Sequence, residues 1–297
     1  MRRRTTNTQA ASELLFQHNT LASSFKDRTP GQPTQSGFRL AASTQSPYCR
    51  TRREHLEISW TEVPALTIAA NASQSIAISG HEQEDWSLSF CAYGNGNSER
   101  EARDRLKEMD LVRSGATVFL NAPAVYGMPQ AGANLIVKAP ADAPITVHAS
   151  FSSVSAQNLN GPVRITAMHA RATVLNTTGK VDAAGFVVDY AGSEGTVLLS
   201  AETEINLKIT SPKFNGSLMA WAQGPVRVRV PAVFRSPFRV IVSRPKNFIC
   251  RTEFAASMHV ERNGALYVFT YPGDGSTPPE NLHLRSEHAS VIIDTGN

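Results

Sequence analysis

Apolar and polar residues alternate along most of this chain. In "HLEISW", Leu56, Ile58 and Trp60 occupy every second position, and "ALTIAA", "SIAISG" and "WSLSFCAYG" continue the same pattern. A period of two is typical of strands that have one buried and one exposed face. Polar segments such as "NASQ" and "GHEQED" separate these pieces and indicate turns.

One segment replaces the alternation with a helical pattern. In "NSEREARDRLKEMDLVRSG", Ser98 is the predicted N-cap, and Glu101 three residues later completes a capping box. Gly115 is the predicted stop. The many charges indicate one solvated face. The apolar stripe consists of Ala102, Leu106, Met109 and Leu111.

After residue 144 the apolar positions follow a longer period of nine, later eight, residues. The recurring residues are Val154, Val163, Ala172, Val181, Val197, Ile205, Leu218 and Val226. A nine-residue piece holds only a short strand and a turn, so we expect two pieces to complete one coil of a β-solenoid, with coils stacked ~4.8 Å apart. The predicted fold class is therefore all-β: a parallel, β-helix-like solenoid preceded by a small β-rich segment with one helix.

Two similar pieces, "GPVRITA" and "GKVDA", place Gly161 and Gly179 18 residues apart. We expect these glycines to turn equivalent corners, where the backbone approaches closely, and the valine two residues after each glycine to stack inside. Arg164 and Asp182 follow those valines, so the register predicts an outward-facing pair on adjacent rungs. Such a surface pair contributes about 0–1 kcal/mol.

The same spacing returns near the C-terminus, from Leu282 to Val291. The solenoid repeat is therefore predicted to resume at residues 282–291, whereas residues 211–258 have no clear register. These patterns divide the chain into a disordered basic tail, residues 1–53, a β-rich segment with one amphipathic helix, residues 54–143, and a β-solenoid repeat domain, residues 144–297.

Positive charge is concentrated in the predicted tail. Residues 1–53 hold nine Lys or Arg and two acidic residues, whereas the remainder holds 20 basic and 23 acidic residues. The tail is either a basic arm attracted to an anionic membrane or nucleic acid, or a solvated leader with no role. Because the body is not basic and carries no nucleic-acid-binding motif, we expect it not to bind nucleic acid.

The chain shows neither a transmembrane segment nor a signal peptide. "MRRR" is followed by no sustained apolar run, and prolines and asparagines interrupt the uncharged stretch 114–137. The localisation is therefore unknown from these residues alone. Cys49, Cys91 and Cys250 are too scattered for a disulfide scaffold or a zinc site. They are either reduced thiols or include a Cys91–Cys250 bridge.

Catalytic, cofactor-binding and metal-ligating motifs are all missing from the sequence. Glu202 and Glu204 are the only close acidic pair in the repeats, but "SAETEINLKIT" alternates cleanly and places both on a solvated side. His148 and His169 are predicted surface residues, and no histidine spacing suits a metal. We therefore predict no catalytic, cofactor or metal residues and do not expect an enzyme.

The order of these pieces resembles a bacterial family of domains of unknown function known as "putative adhesins" or β-strand repeat proteins. The resemblance covers roughly residues 54–297. It rests on "SIAISG", the charged helix "SEREARDRLKEM", the phrase "LIVKAPADAPITVHAS", and the serial pieces "GPVRI", "GKVDA" and "GTVLL". It implies a β-solenoid and an extracytoplasmic setting at the cell envelope, and it implies no reaction.

The leading hypothesis is a non-catalytic β-solenoid binding or structural module, adhesin-like and associated with the bacterial cell envelope. Its partners would be an envelope protein or a glycan, bound through flat faces rich in small polar residues. The alternatives are a carbohydrate-polymer-active β-helix enzyme and a cytoplasmic scaffold that self-associates end to end.

Overall fold

The computed structural model describes residues 48–71, 75–121, 131–274 and 281–296. The first 47 residues of the predicted tail lie outside the described residues. The described part is all-β, with many strands in a mostly parallel arrangement and one α-helix. The strands are β1 Tyr48–Ser59, β2 Leu66–Ala70, β3 Ser75–His81, β4 Asp85–Gly96, β5 Asp110–Ser114, β6 Thr117–Asn121, β7 Ala131–Pro140, β8 Ile145–Ala149, β9 Ser153–Gln157, β10 Val163–Leu175, β11 Lys180–Gly192, β12 Glu194–Ile209, β13 Asn215–Ala222, β14 Val226–Val230, β15 Phe238–Val242, β16 Phe248–Arg251, β17 His259–Asn263, β18 Leu266–Tyr271, β19 Leu282–Ser286 and β20 Val291–Thr295. Short 3₁₀ helices cover Pro245–Asn247 and Glu253–Ser257.

The predicted helix is present as α1, Glu99–Lys107. The Ser98 hydroxyl accepts a hydrogen bond from the Glu101 amide, and the Glu101 carboxylate accepts one from the Asn97 amide, so the predicted N-terminal cap is confirmed. The prediction that Gly115 stops the helix is wrong. Gly115 turns the antiparallel β5–β6 hairpin with φ +58°, because the chain already enters β5 at Asp110. In the described ranges, no helix is long and apolar enough to span a membrane.

The parallel strands form two ladders. The first ladder runs β6–β2–β8–β10–β11–β12–β13–β19–β15, and the second runs β7–β3–β9–β10–β11–β12–β14–β20–β16. Strands β10, β11 and β12 contribute their first halves to one ladder and their second halves to the other. The predicted boundary between residues 143 and 144 is crossed by the β2–β8 and β3–β9 pairings.

The apolar residues that recur in sequence meet in register and are buried. In the first ladder Val163 lies opposite Val181, Val181 opposite Val197, and Val197 opposite Leu218. In the second ladder Val154 lies opposite Ala172, and Ile205 opposite Val226. All of these side chains are at most 2% exposed. The period of about nine residues therefore reflects alternation between two ladders that share one core.

The glycine corners behave as expected. A Cβ on Gly179 would lie 2.2 Å from the Asn160 carbonyl oxygen and 2.4 Å from that of Gly161, and a Cβ on Gly161 would lie 2.3 Å from the Asp142 carbonyl oxygen. Gly161 and Gly179 therefore occupy equivalent corners, where one strand level lies directly on the backbone of the level before it.

Strand order departs from chain order at both ends, which the serial rhythm of the sequence did not predict. Near the N-terminus β2 and β3 lie between the β6/β7 level and the β8/β9 level. Near the C-terminus β19 and β20 lie between the β13/β14 level and the β15/β16 level. The last strands in sequence are therefore internal strands with a hydrogen-bonded neighbour on both edges.

Antiparallel strands extend the first ladder at both ends and the second ladder at one end. At one end β5 pairs with β6, β4 with β7, and β1 with β4, while at the other end β18 pairs with β15 and β17 with β18. Two of the edge strands, β1 and β17, carry exposed charged residues, among them Arg53, Glu54, Glu261 and Arg262. Charged, exposed edge strands disfavour pairing with another sheet edge.

Candidate binding surface

Strand alternation holds a group of large side chains on the outward side of the first ladder. In β13 the residues Leu218, Ala220 and Ala222 point into the core and are buried, whereas Met219 and Trp221 lie between them on the outward side. We call the surrounding surface the Trp221 face. It consists of Leu198, Met219, Trp221, Arg239, Ile241, His283 and Arg285.

The residues of the Trp221 face line up in two rows across the strands. One row contains Leu198, Met219, His283 and Arg239, in that order, because β12, β13, β19 and β15 are neighbours. The next row contains Ser200, Trp221, Arg285 and Ile241. Strand separation places successive members of a row ~4.8 Å apart.

The apolar members of this face do not belong to the core. Leu198, Met219, Trp221 and Ile241 are half-buried, and none belongs to the cluster that fills the space between the ladders. Val268 on β18 lies opposite Ile241 and is only 5% exposed, yet it too is outside that cluster. An apolar strip therefore continues on the outward side, where the hydrophobic core gains nothing from it.

The charge of the chain is also uneven around this face. Residues 54–204 hold nine Lys or Arg and 17 Asp or Glu, a balance of −8, whereas residues 205–297 hold eleven and six, a balance of +5. The Trp221 face contributes Arg239 and Arg285 to the positive part. Two carboxylates border this face: Asp182, which lies opposite Leu198 and is paired with Arg164 at 3.5 Å, and Glu287, which lies 3.8 Å from Arg285.

A second apolar surface, the apolar corner, lies where the chain passes from one ladder to the other. Phe151, Met168 and Phe186 are 54%, 48% and 42% exposed and lie on three successive strand levels. The His169 ring stacks on Phe151 with centroids 5.4 Å apart, and His169 has φ +58°. His148 is exposed as well, so the surface positions predicted for both histidines are confirmed.

The outward side of the second ladder is different, because its carboxylates are paired. Asp189 accepts hydrogen bonds from Arg171 at 2.5 Å and from the Asn206 amide at 3.0 Å. Glu204 forms an ion pair with Arg227 at 2.9 Å. These two carboxylates are therefore neutralised within the protein itself.

The acidic pair considered from sequence lies on β12 at a register shift. A register shift between Gly185 and Val187 on β11 leaves Glu202 at the passage between ladders, whereas Glu204 already lies on the second ladder. Glu202 is exposed, and Glu204 is held by Arg227. Hydrolysis of a glycosidic bond by an acid and a base requires two carboxylates that are directed at the same bond.

Cysteines and potential metal ligands are dispersed. Cys91 and Cys250 are free thiols on β4 and β16, at opposite ends of the second ladder, so the alternative of a bridge between them is wrong. The Cys250 sulfur lies 3.1 Å from the Thr252 hydroxyl. Within the described ranges, no group of three or more His, Cys, Asp or Glu side chains is arranged to hold a metal ion.

The charged face of α1 is joined to β1 by ion pairs. Arg50 donates to Glu99 at 2.5 Å, and Arg103 donates to the same carboxylate at 2.6 Å. The hydrogen bond from Arg50, together with the charge of Arg103, lowers the pKa of Glu99. These contacts support the interpretation of the charged helix face as structural and solvated.

Sequence reasoning missed the Trp221 face. Trp221 falls in the segment 211–258, for which the nine-residue rhythm gave no clear register. The local signal was the alternation in "SLMAWA", which already assigns Met219 and Trp221 to the side opposite Leu218 and Ala220. The proximity of Arg285, which is 64 residues further along, had no local signal.

Comparison with known proteins gives only distant relationships. No family model and no curated protein matches the chain. Solved structures similar to it include "a putative cell adhesion protein" from Clostridium sporogenes, with 10% identity, a TM-score of 0.35, and coverage of 83% of this chain and 99% of that chain. "A putative adhesin" from Bacteroides fragilis has 9% identity, a TM-score of 0.32, and coverage of 85% and 99%. Another from Parabacteroides merdae has 7% identity, a TM-score of 0.28, and coverage of 62% and 90%. Bacterial proteins described as adhesins are thus among the solved structures similar to it.

Proposed function

We propose that the chain forms a parallel β-solenoid and acts as a non-catalytic, adhesin-like binding module at a bacterial cell envelope. Each coil would consist of one strand from each ladder, with Gly161 and Gly179 at successive corners. The recurring register of buried residues supports this reading. The antiparallel strands at both ends support it as well, since repeat proteins need ends that differ from their internal units.

The Trp221 face is the observation that carries the binding function. Large half-buried side chains on a solvent-facing strand add little to a core from which they are separated. Aromatic, Met and Arg side chains are enriched at binding surfaces because they contribute much contact area and directed hydrogen bonds. A flat face of this kind suits an extended partner better than a small molecule enclosed in a pocket.

The test is retention of envelope material by the whole chain. The purified protein, immobilised and incubated with solubilised bacterial envelope fractions, should retain specific glycan or protein components. Trp221→Ala should lose most of that retention. Arg229→Ala, an exposed arginine on the second ladder, is the matched control and should retain as much as the unchanged chain. Retention no greater than that of heat-unfolded protein would contradict the proposal.

A carbohydrate-polymer-active enzyme is the weaker alternative, because Glu204 is neutralised by Arg227 and a register shift lies between Glu202 and Glu204 and their neighbours on β11. The enzyme hypothesis predicts that products are released from a polysaccharide panel and that Glu202→Gln abolishes their release. We expect no release from the panel by either protein.

A self-associating scaffold is favoured by one observation, the opposite charge of residues 54–204 and 205–297. Head-to-tail contact would bring the two signs together. The charged outer strands at both ends oppose continuation of the sheet from one copy to the next. Light scattering at low salt should therefore give a monomer, and chains that lengthen with protein concentration would favour the scaffold instead.

A further inference from the structure

The two rows of the Trp221 face form a track rather than a pocket. Along the row of Trp221, the outward positions on the preceding strands are Thr166, Ala184 and Ser200, all with small side chains. The indole of Trp221 follows, and Arg285 comes next on β19. Along this row small side chains are therefore followed by the Trp221 indole, the Arg285 guanidinium and the Ile241 side chain. In the neighbouring row the Arg164–Asp182 pair precedes Leu198.

The composition of this track points to the chemistry of its occupant. A half-exposed aromatic ring offers an apolar face for stacking, the hydroxyls of Thr166 and Ser200 offer hydrogen bonds, and Arg285 offers the planar fork that binds carboxylates in a bidentate manner. A sugar ring presents C–H groups on its face and hydroxyls on its edge, so it matches the first two elements. A carboxylate on the sugar matches the third.

Charge favours an anionic occupant over a neutral one. Among the seven residues of the Trp221 face, two are arginines and none is acidic, and both arginines lie in the part of the chain with a balance of +5. Arg285 is 48% exposed, and its distance of 3.8 Å from Glu287 leaves the guanidinium accessible to a stronger partner. A cationic surface also attracts anionic polymers from a distance at low ionic strength.

Shape favours a linear chain lying across the strands. Successive side chains along a row recur at the strand separation of ~4.8 Å, so a polymer crossing the strands meets a repeating set of contacts. A protein partner of standard size would need about 800 Å² on each side with a well-packed apolar centre. The small side chains of Thr166, Ala184 and Ser200 offer no such centre. The apolar residues of the face, Leu198, Met219, Trp221 and Ile241, are few beside the roughly 20–30 residues on each side of a standard interface.

We propose that the Trp221 face binds a linear, carboxylate-bearing polysaccharide, which stacks on Trp221 and forms an ion pair with Arg285. This assignment rests on the proposed binding function and adds the class of ligand to it. Each sugar contact is weak, and affinity would come from several contacts along one track.

The experiment measures binding of defined oligosaccharides to the full chain by titration calorimetry. Linear oligogalacturonate is the anionic probe, and its fully methyl-esterified form is the neutral one with the same backbone. The unchanged chain should bind the anionic probe, with affinity that falls as salt rises. Trp221→Ala and Arg285→Ala should each weaken binding at least tenfold, and the neutral probe should bind at least tenfold more weakly.

Arg229→Ala serves as the control and should bind as the unchanged chain does. Because Trp221 lies outside the core cluster, Trp221→Ala should keep the circular dichroism spectrum and melting temperature of the unchanged chain. A variant that melts much lower would be replaced by Trp221→Leu, which keeps apolar bulk without the ring. With that variant, undiminished binding of the anionic probe contradicts the proposal.

Other outcomes overturn the ligand class separately from the proposed function. Equal binding of both probes would indicate a neutral glycan as the ligand. If the unchanged chain binds an acidic protein or a second copy of itself and Trp221→Ala does not, the partner is a protein. If envelope material is retained but oligogalacturonate is not bound, the carboxylate proposal fails while the binding function stands. If neither is bound, both fail.

Discussion

Arg164 lies directly opposite Asp182 on the neighbouring strand, and its Nε is 3.5 Å from Asp182 Oδ2. The pair confirms the 18-residue register expected from the sequence, because a slip of one residue would send the two side chains to opposite sides of the sheet. The Arg164 side chain is 54% exposed, so water and salt screen the interaction. The contact is therefore evidence for the register, but it contributes little to the stability of the fold.

Breaking this pair should therefore change stability little, whereas breaking its counterpart on the second ladder should cost more. Asp189 accepts from both Arg171 and Asn206, so Asp189→Ala leaves two donors without their acceptor. We expect a loss of less than about 1 kcal/mol for Arg164→Gln and about 1–3 kcal/mol for Asp189→Ala, measured by urea unfolding. Equal losses would contradict this ranking.

A methyl group at Gly179 should be among the most damaging small changes in the protein. Its Cβ would overlap two backbone carbonyl oxygens, at 2.2 and 2.4 Å, which belong to the preceding strand level and cannot rotate away. We expect Gly179→Ala to lower the free energy of unfolding by about 3 kcal/mol or more.

Gly115 provides the matched comparison for Gly179. It has φ +58° and no atom within 4 Å of a Cβ position, so Gly115→Ala carries only the backbone penalty of about 1 kcal/mol. Comparing the free energies of unfolding of the two variants by chemical denaturation separates the steric cost of close backbone approach from the cost of the backbone conformation. A loss at Gly115 as large as that at Gly179 would refute the corner explanation.

Stability should fall at high pH because of Tyr190. This side chain is 1% exposed, and its hydroxyl donates to the Glu194 carbonyl at 3.3 Å. Burial, together with the charge of Glu194, raises the pKa of Tyr190 to about 12. A folded-state pKa above the unfolded value of about 10 means that the contribution is complete below pH ~10 and is lost as the pH rises towards 12.

The measurement is thermal melting between neutral pH and pH 11, with Tyr190→Phe as the control. The phenylalanine variant loses the hydrogen bond at all pH values but should show a smaller drop above pH ~10 than the unchanged chain. An identical drop in both proteins would show that other groups cause it.

Removing the last 17 residues, 281–297, should unfold far more than a terminal segment normally does. Strands β19 and β20 lie between the β13/β14 level and the β15/β16 level, and they bury Leu282, Leu284, Val291 and Ile293. Without them β15 and β16 lose their parallel neighbours, and β18, which pairs with β15, loses its connection to the ladder. Hydrogen exchange should show β15, β16 and β18 fully unprotected in this truncation.

Removal of residues 296 and 297 alone is the control, because Gly296 only donates one backbone hydrogen bond, to the Val230 carbonyl. That variant should keep its exchange protection. A 281–297 truncation with protected β15 would mean that these strands pair directly with β13 and β14, contrary to the observed order.

The local features were readable from sequence because each depends on residues that are close along the chain. The cap of α1 needs only Ser98 and Glu101, and the alternation in β10 and β11 needs only neighbours two apart. The stacking of Val163 on Val181 follows from a repeat that the chain itself displays. Gly115 was misassigned because a glycine after a helical pattern and a glycine in a hairpin turn look alike in one sequence.

The sequence by itself determined the all-β class, the two-ladder period, the glycine corners and the side on which each alternating residue lies. Periodic burial and local backbone geometry depend on residues that are close along the chain, so these features need no distant partner. Only the tertiary structure decided which strands became neighbours at the two ends, since many strands share the same alternation and their pairing depends on packing of the whole core. That choice placed Arg285 beside Trp221, 64 residues away, and so formed the binding face for which we propose a ligand.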